Sequence, residues 1–112
     1  MKILLDECVP VQIRNALPGH EIHSATHPQW RGLTNGELLR LAEQQEFQLI
    51  VVADKNMRYQ QNISSRGIAI LELWTNHRPT VEHHFQYIGT AVERILPGQY
   101  IELTVPASFP NK

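Results

Sequence analysis

Short apolar runs rich in β-branched residues alternate along this chain with segments of helical spacing, and this alternation restricts the fold more than any other feature. The runs are residues 2–5, 21–25, 48–53, 67–73 and 100–105, the last with the cleanest period of two. Pro10 stands where a first helical turn tolerates proline, and Val11, Ile13, Ala16 and Leu17 follow until Pro18-Gly19 ends a short helix. Thr34-Asn35-Gly36-Glu37 has the spacing of a capping box, with Leu38, Leu41 and Ala42 as an apolar stripe, so a second helix runs to about residue 46. A third begins after Asp54 and frays among residues 62–65. A fourth, from about 80 to 96, places Val81, Phe85, Ile88, Val92 and Ile95 on one side and stops at Pro97-Gly98. Strand and helix in turn, joined by short connections with right-handed crossovers, predict a three-layer α/β/α sandwich around a mostly parallel five-stranded sheet. The direction of the last strand stays open.

With 112 residues the chain has room for a single domain, 1–112, and no linker, repeat or low-complexity tract divides it. Its 42% hydrophobic and 19% charged residues suit a soluble globular protein. A net charge of −1 lacks the global basic field of an architectural nucleic-acid binder, so any nucleic-acid contact is local or metal-mediated. Cys8 is the one cysteine, which excludes an intramolecular disulfide and a Cys-rich zinc site. Asp6 and Glu7 cut short the opening apolar run 3–5, so it reads as neither signal peptide nor membrane span, and a cytoplasmic protein is expected.

In open parallel sheets, ligands bind beyond the carboxyl ends of the strands, where the strand order reverses. Asp6 and Glu7 directly follow the first strand and Asp54 directly follows the third. In a flavodoxin-like order 2-1-3-4-5 those two ends are neighbours. Glu37 opens the helix that leads into the third strand, so its carboxylate starts near the same edge. Clustered carboxylates call for protonation or a cation, and oxygen ligands suit Mg²⁺ or Mn²⁺ rather than Zn²⁺. Segment 55–66 carries Lys55, Arg58 and Arg66 and no acid, a local charge of +3, with Tyr59 and the amides Gln60, Gln61 and Asn62 between them. This composition suits a phosphate backbone and base stacking. An acidic crevice beside a basic polar helix is the layout of a metal-dependent nuclease.

Each residue also has a purely structural reading. Asp54 is an ordinary N-cap type, Asp6 and Glu7 can mark a strand end, the capping box alone explains Glu37, and the basic segment can be a solvated helix face. The joint placement of Asp6 and Asp54 at two strand ends favours the functional reading. The six histidines do not read as a zinc site: His20-Glu21-Ile22-His23 lacks zincin spacing, and His83-His84, adjacent on a helix, are expected to diverge. Cys8 has no base partner in the sequence and reads as a small buried or half-buried residue rather than a nucleophile. Trp30, Trp74 and Phe85 read as packing residues.

Four blocks carry a resemblance: Ile3-Leu4-Leu5-Asp6-Glu7, Leu17-Pro18-Gly19-His20-Glu21, Trp30-Arg31-Gly32-Leu33-Thr34-Asn35-Gly36-Glu37-Leu38-Leu39, and Ala53-Asp54-Lys55-Asn56-Met57-Arg58-Tyr59-Gln60-Gln61-Asn62. Together they resemble an uncharacterised PIN-like family of short bacterial proteins, over residues 1 to about 73. The resemblance implies clustered acids that bind Mg²⁺ or Mn²⁺ and cleave RNA, and a toxin component whose partner is an antitoxin protein. Asp6, Glu37 and Asp54 match the family's catalytic acids, and Glu7 adds a carboxylate to the metal set. Asn56 departs from related patterns, which often place an Asp there, and Asn35 occupies another position that can be acidic. An amide carbonyl is a weaker ligand.

The expected function is therefore a metal-dependent endoribonuclease. Asp6, Glu37 and Asp54 are catalytic, Glu7 joins them on the metal, and Lys55, Asn56, Arg58 and Tyr59 bind single-stranded or structured RNA. A homodimer would follow if the C-terminal helix exposed an apolar patch. Two rivals stand beside this reading. One is a PIN-like module that binds RNA or protein without cutting, which Asn35 and Asn56 keep open. The other is a receiver-like phosphoacceptor, which Asp6, Glu7, Asp54 and Thr75 fit, but which lacks a Lys after the fifth strand.

Overall fold

The computed structural model describes residues 1–28, 30–53 and 67–105, with the backbone alone at Asn35. Five strands, β1 (Lys2–Leu5), β2 (Glu21–Ser24), β3 (Leu49–Val52), β4 (Ala69–Glu72) and β5 (Tyr100–Glu102), form one sheet in the order β2-β1-β3-β4-β5. Every pairing is parallel, including β4 with β5, so the last strand takes the same direction as the others. β1, β3 and β4 are central and covered on both faces. That explains why their sequences are continuous apolar runs rather than alternating ones. β5 stops at Glu102 because its neighbour β4 stops at Glu72; the final bond runs from the Leu103 N–H to the Glu72 carbonyl at 2.8 Å.

A six-residue 3-10 helix, Val11–Ala16, follows β1. Pro10 bounds it on one side, and Pro18 keeps Leu17 out of the α region on the other, leaving too little chain for an α-helix. Helix α1 (Asn35–Gln44) carries the full capping box expected at Thr34 and Glu37. It closes two residues short of the expected end, with Glu46 N–H on the Glu43 carbonyl (3.1 Å) and Phe47 N–H on the Ala42 carbonyl (2.9 Å). This paired closure demands a left-handed residue, and Glu46 supplies it at φ 64° where glycine is usual.

The single C-terminal helix expected from about 80 to 96 is two helices, α2 (Arg78–His83) and α3 (Phe85–Arg94). His84 breaks the ladder: its backbone N–H turns back to Val81 (3.0 Å), while its ring Nδ1 donates to the Thr80 carbonyl (2.9 Å) in place of the helical bond. The packed side survives the break, for Val81, Ile88 and Val92 are fully buried and Ile95 nearly so.

Alternation along the strands sends side chains into two cores. Ile3, Leu5, Leu49, Val51 and Leu71 pack against the 3-10 helix, α2 and α3, whereas Leu4, Ile50, Val52 and Ile70 pack with Leu38, Leu39 and Ala42 of α1. The sheet is thus flanked by helices on both faces. Gly89 lets α3 lie against the 3-10 helix, since a Cβ there would come within 2.9 Å of the Ala16 carbonyl oxygen.

Among the connections whose residues are described, one departs from the expected uniform hand. β1–β2 moves toward one edge over the face of the 3-10 helix, and β2–β3 moves toward the other edge over the α1 face, so both have the same hand. β4–β5 moves in the direction of β2–β3 but over the face of the 3-10 helix, which gives it the opposite hand. The 3-10 helix is too short to cover β3 and β4, and α2 and α3 bury Leu49, Ala69 and Leu71 there instead.

Candidate functional site

The switch in strand order falls between β1 and β3, and Asp6 stands at that point. Its backbone extends the ladder: the Asp6 N–H donates to the Val51 carbonyl at 2.9 Å, and its own carbonyl accepts from Val9 N–H at 3.0 Å. The residue is only 7% exposed. The Cys8 thiol, half-buried, donates to Asp6 Oδ2 at 3.4 Å. Glu7, next in the turn, is exposed. In the neighbouring strand, Val51 is paired with Leu5, and the described chain ends at Ala53. Asp54 follows Ala53 in sequence. Asp54, Lys55, Asn56, Arg58 and Tyr59 all lie outside the described residues, as does the expected third helix.

Glu37 has a different environment. It is exposed, its Oε1 accepts from the Thr34 N–H at 2.9 Å, and its own N–H donates to Thr34 Oγ1 at 3.2 Å. The Thr34 backbone bond, with the Thr34 side chain second, holds the Glu37 carboxyl below the usual 4.5. Among the described residues, no three of His, Cys, Asp or Glu are grouped so as to hold a metal ion. Asp6, Glu7 and Glu37 therefore do not form a complete ligand set by themselves.

One acid on this edge escaped the sequence reading. Glu72, the last residue of β4, is 2% exposed and accepts a hydrogen bond from the Tyr100 hydroxyl. It is in register with Val52, so Asp6 and Glu72 flank the end of β3 from its two neighbouring strands. The available signal was an acid inside the apolar run Ile68-Ala69-Ile70-Leu71-Glu72-Leu73. A buried carboxyl group there needs a hydrogen-bond partner, and the Tyr100 hydroxyl provides it.

The histidines engage other groups. His20 Nε2 meets Glu93 Oε2 at 2.7 Å, and His23 Nε2 meets Glu21 Oε2 at 2.7 Å, the latter bond lowering the Glu21 carboxyl. His83 and His84 do not diverge as adjacent helical residues would. The break at His84 brings their rings edge to face at 5.1 Å. Trp30 is buried at 2% exposure, while Trp74 and Phe85 are half-buried against the core. The large apolar side chains left exposed among the described residues are Val11, Leu96 and Val105, none of them on α2 or α3. No helix among the described residues is long and apolar enough to cross a membrane.

These observations define an all-parallel, five-stranded α/β protein with a buried aspartate at the switch point of its sheet. No protein-family model matches this chain, and it has no significant match among curated proteins or solved structures.

Proposed function

We propose that this chain is a metal-dependent ribonuclease of the PIN-like type, acting at the carboxyl edge of the sheet. The observation that carries this reading is the strand order, which sets Asp6 against the end of the strand that runs into Asp54. Carboxylate oxygens are the donors Mg²⁺ and Mn²⁺ prefer, and Asp6 with Asp54 would supply them. Exposed Glu7 adds a carboxylate within the same turn. Glu37 is held by the cap, its Oε1 accepting from the Thr34 N–H, so in this reading it stands beside the metal set rather than in it.

Bound there, Mg²⁺ or Mn²⁺ would polarise the phosphodiester and lower the pKa of water. The chain's own part is to hold Asp6 in place, which the bonds to Val51 and Val9 do before substrate arrives. Lys55 and Arg58, following Asp54, would hold the phosphate backbone and make binding depend on salt. Asn56 and Tyr59 would meet the nucleotides beside them. A toxin role with an antitoxin partner rests on the resemblance alone.

A module that binds RNA without cutting is the second reading, and the cap favours it, because a Glu37 committed to Thr34 needs no catalytic explanation. The receiver-like reading loses ground to the β4–β5 crossover, since doubly wound receivers keep one hand throughout. The deciding experiment is cleavage of a mixed single-stranded RNA panel, in Mn²⁺ and in EDTA, by wild type and Asp54→Asn. Mn²⁺-dependent cutting abolished by the substitution is the expected result. If neither protein cuts or binds Mn²⁺, the nuclease reading fails and the binding module replaces it.

A further inference from the structure

The carboxyl end of β2 opens into a groove of about 350 Å³ lined by Ile22, His23, Ser24, Thr26, His27 and Trp30. It lies one strand from Asp6. The Ala25 N–H donates to the Leu5 carbonyl at 2.7 Å, Asp6 is the residue after Leu5, and neighbouring strands stand about 5 Å apart. Two turns shape the groove, with His27 N–H on the Ser24 carbonyl (3.1 Å) and Trp30 N–H on the His27 carbonyl (2.9 Å).

Its rim is pinned by local bonds. Ser24 Oγ and Thr26 Oγ1 are 2.8 Å apart, and the Thr26 N–H donates to Ser24 Oγ at 3.2 Å. The His23 ring meets Phe47 edge to face at 5.2 Å, and Phe47 meets Trp30 at 5.5 Å, so the floor is tied into the α1 core. Among the described residues the groove's lining contains no acid, in contrast to the adjoining Asp6-Glu7 turn, and Glu21 bonds His23 from outside it. Serine and threonine hydroxyls both donate and accept, and a histidine ring adds two polar nitrogens. A ribose 2′-hydroxyl also donates and accepts, and it is the group that separates RNA from DNA.

We infer that this groove holds the ribose next to the scissile phosphodiester and reads its 2′-hydroxyl, a role that rests on the ribonuclease reading and makes Thr26 and His27 the determinants of sugar specificity. The volume falls in the range of small-molecule sites, which begins at about 300 Å³. The sugar would sit on the uncharged polar side of the edge while its phosphate faces the acids.

The test is fluorescence anisotropy with short labelled single-stranded RNA and DNA of the same sequence, at fixed low salt in EDTA. Wild type, Thr26→Val and His27→Ala are compared after thermal melts show that each folds. Wild type is expected to bind the RNA about tenfold more tightly than the DNA. Each substitution should lower RNA affinity by about three- to tenfold and leave DNA affinity within about twofold. Equal binding of the two strands by wild type, equal losses on both in the variants, or no binding of either would overturn the inference. Mn²⁺-dependent cleavage by the same proteins separates the two proposals. Cutting that persists while the sugar preference is absent sinks the groove alone, whereas a groove-dependent RNA preference without any cutting sinks the nuclease alone.

Discussion

The end of β1 and the start of α1 each carry an acid toward the edge where a ligand would bind, yet the two acids are held by different forces. Asp6 is buried, and its backbone is bonded to a strand far away in sequence and to the turn that leads into the 3-10 helix. Glu37 is exposed and is satisfied within four residues of its own chain by Thr34. A local motif explains Glu37 completely. Locally the Asp6 carboxylate meets the Cys8 thiol, a weak donor, and burying a carboxylate is costly, so Asp6 is where a functional explanation adds most.

The sharpest way to break this comparison is to remove each charge while keeping its shape. Asp6→Asn should lower Mn²⁺-dependent RNA cleavage by at least about 100-fold. Glu37→Gln preserves the capping pattern, because glutamine serves at that position equally well, and should change the rate by less than about threefold. Rate constants at saturating Mn²⁺ decide the matter. If both substitutions abolish cutting, Glu37 is a ligand as well as a cap and the contrast disappears.

A smaller effect tests the local side alone. Thr34→Ala removes the hydroxyl that accepts from the Glu37 N–H and should cost about 1 kcal/mol of stability, read from denaturant or thermal unfolding. Cleavage at a temperature where the variant stays folded should be unchanged. A rate that fell with Thr34→Ala would tie the start of α1 to the site.

The smallest effect is in the pH dependence. The Thr34 bonds depress the folded-state value of Glu37, so the unfolded chain binds its proton more readily. The cap's contribution is therefore fully present above the unperturbed value of 4.5 and is lost as pH falls through the lower folded value. Glu37→Gln should flatten that part of the stability profile, whereas a slope unchanged by the substitution would show that other carboxylates set it.

Much of the fold was legible in the chain. The strand cores and the box at Thr34 and Glu37 follow from periodicity and punctuation, and the order β2-β1-β3-β4-β5 is the flavodoxin-like one under which the ends of the first and third strands are expected to be neighbours. The break at His84 was not, because an unbroken apolar stripe runs through it and the break comes from a ring bond to the Thr80 carbonyl. Glu72 was not, because its acceptability depends on Tyr100, 28 residues away in sequence. The groove beside β2 was not either, since its walls come from turns whose closure no periodicity reports.

What the sequence determined by itself is local: where apolar runs make strands, where Thr34 begins a helix, and that acids follow the first and third runs. What only the tertiary structure decided is adjacency: which face α2 and α3 cover, the hand of the last crossover, the burial of Asp6 and the pairing of Glu72 with Tyr100. The division has a physical origin. Local patterns reflect backbone preferences and hydrogen bonds closed within a few residues, whereas burial and pairing reflect which distant surfaces exclude water from one another.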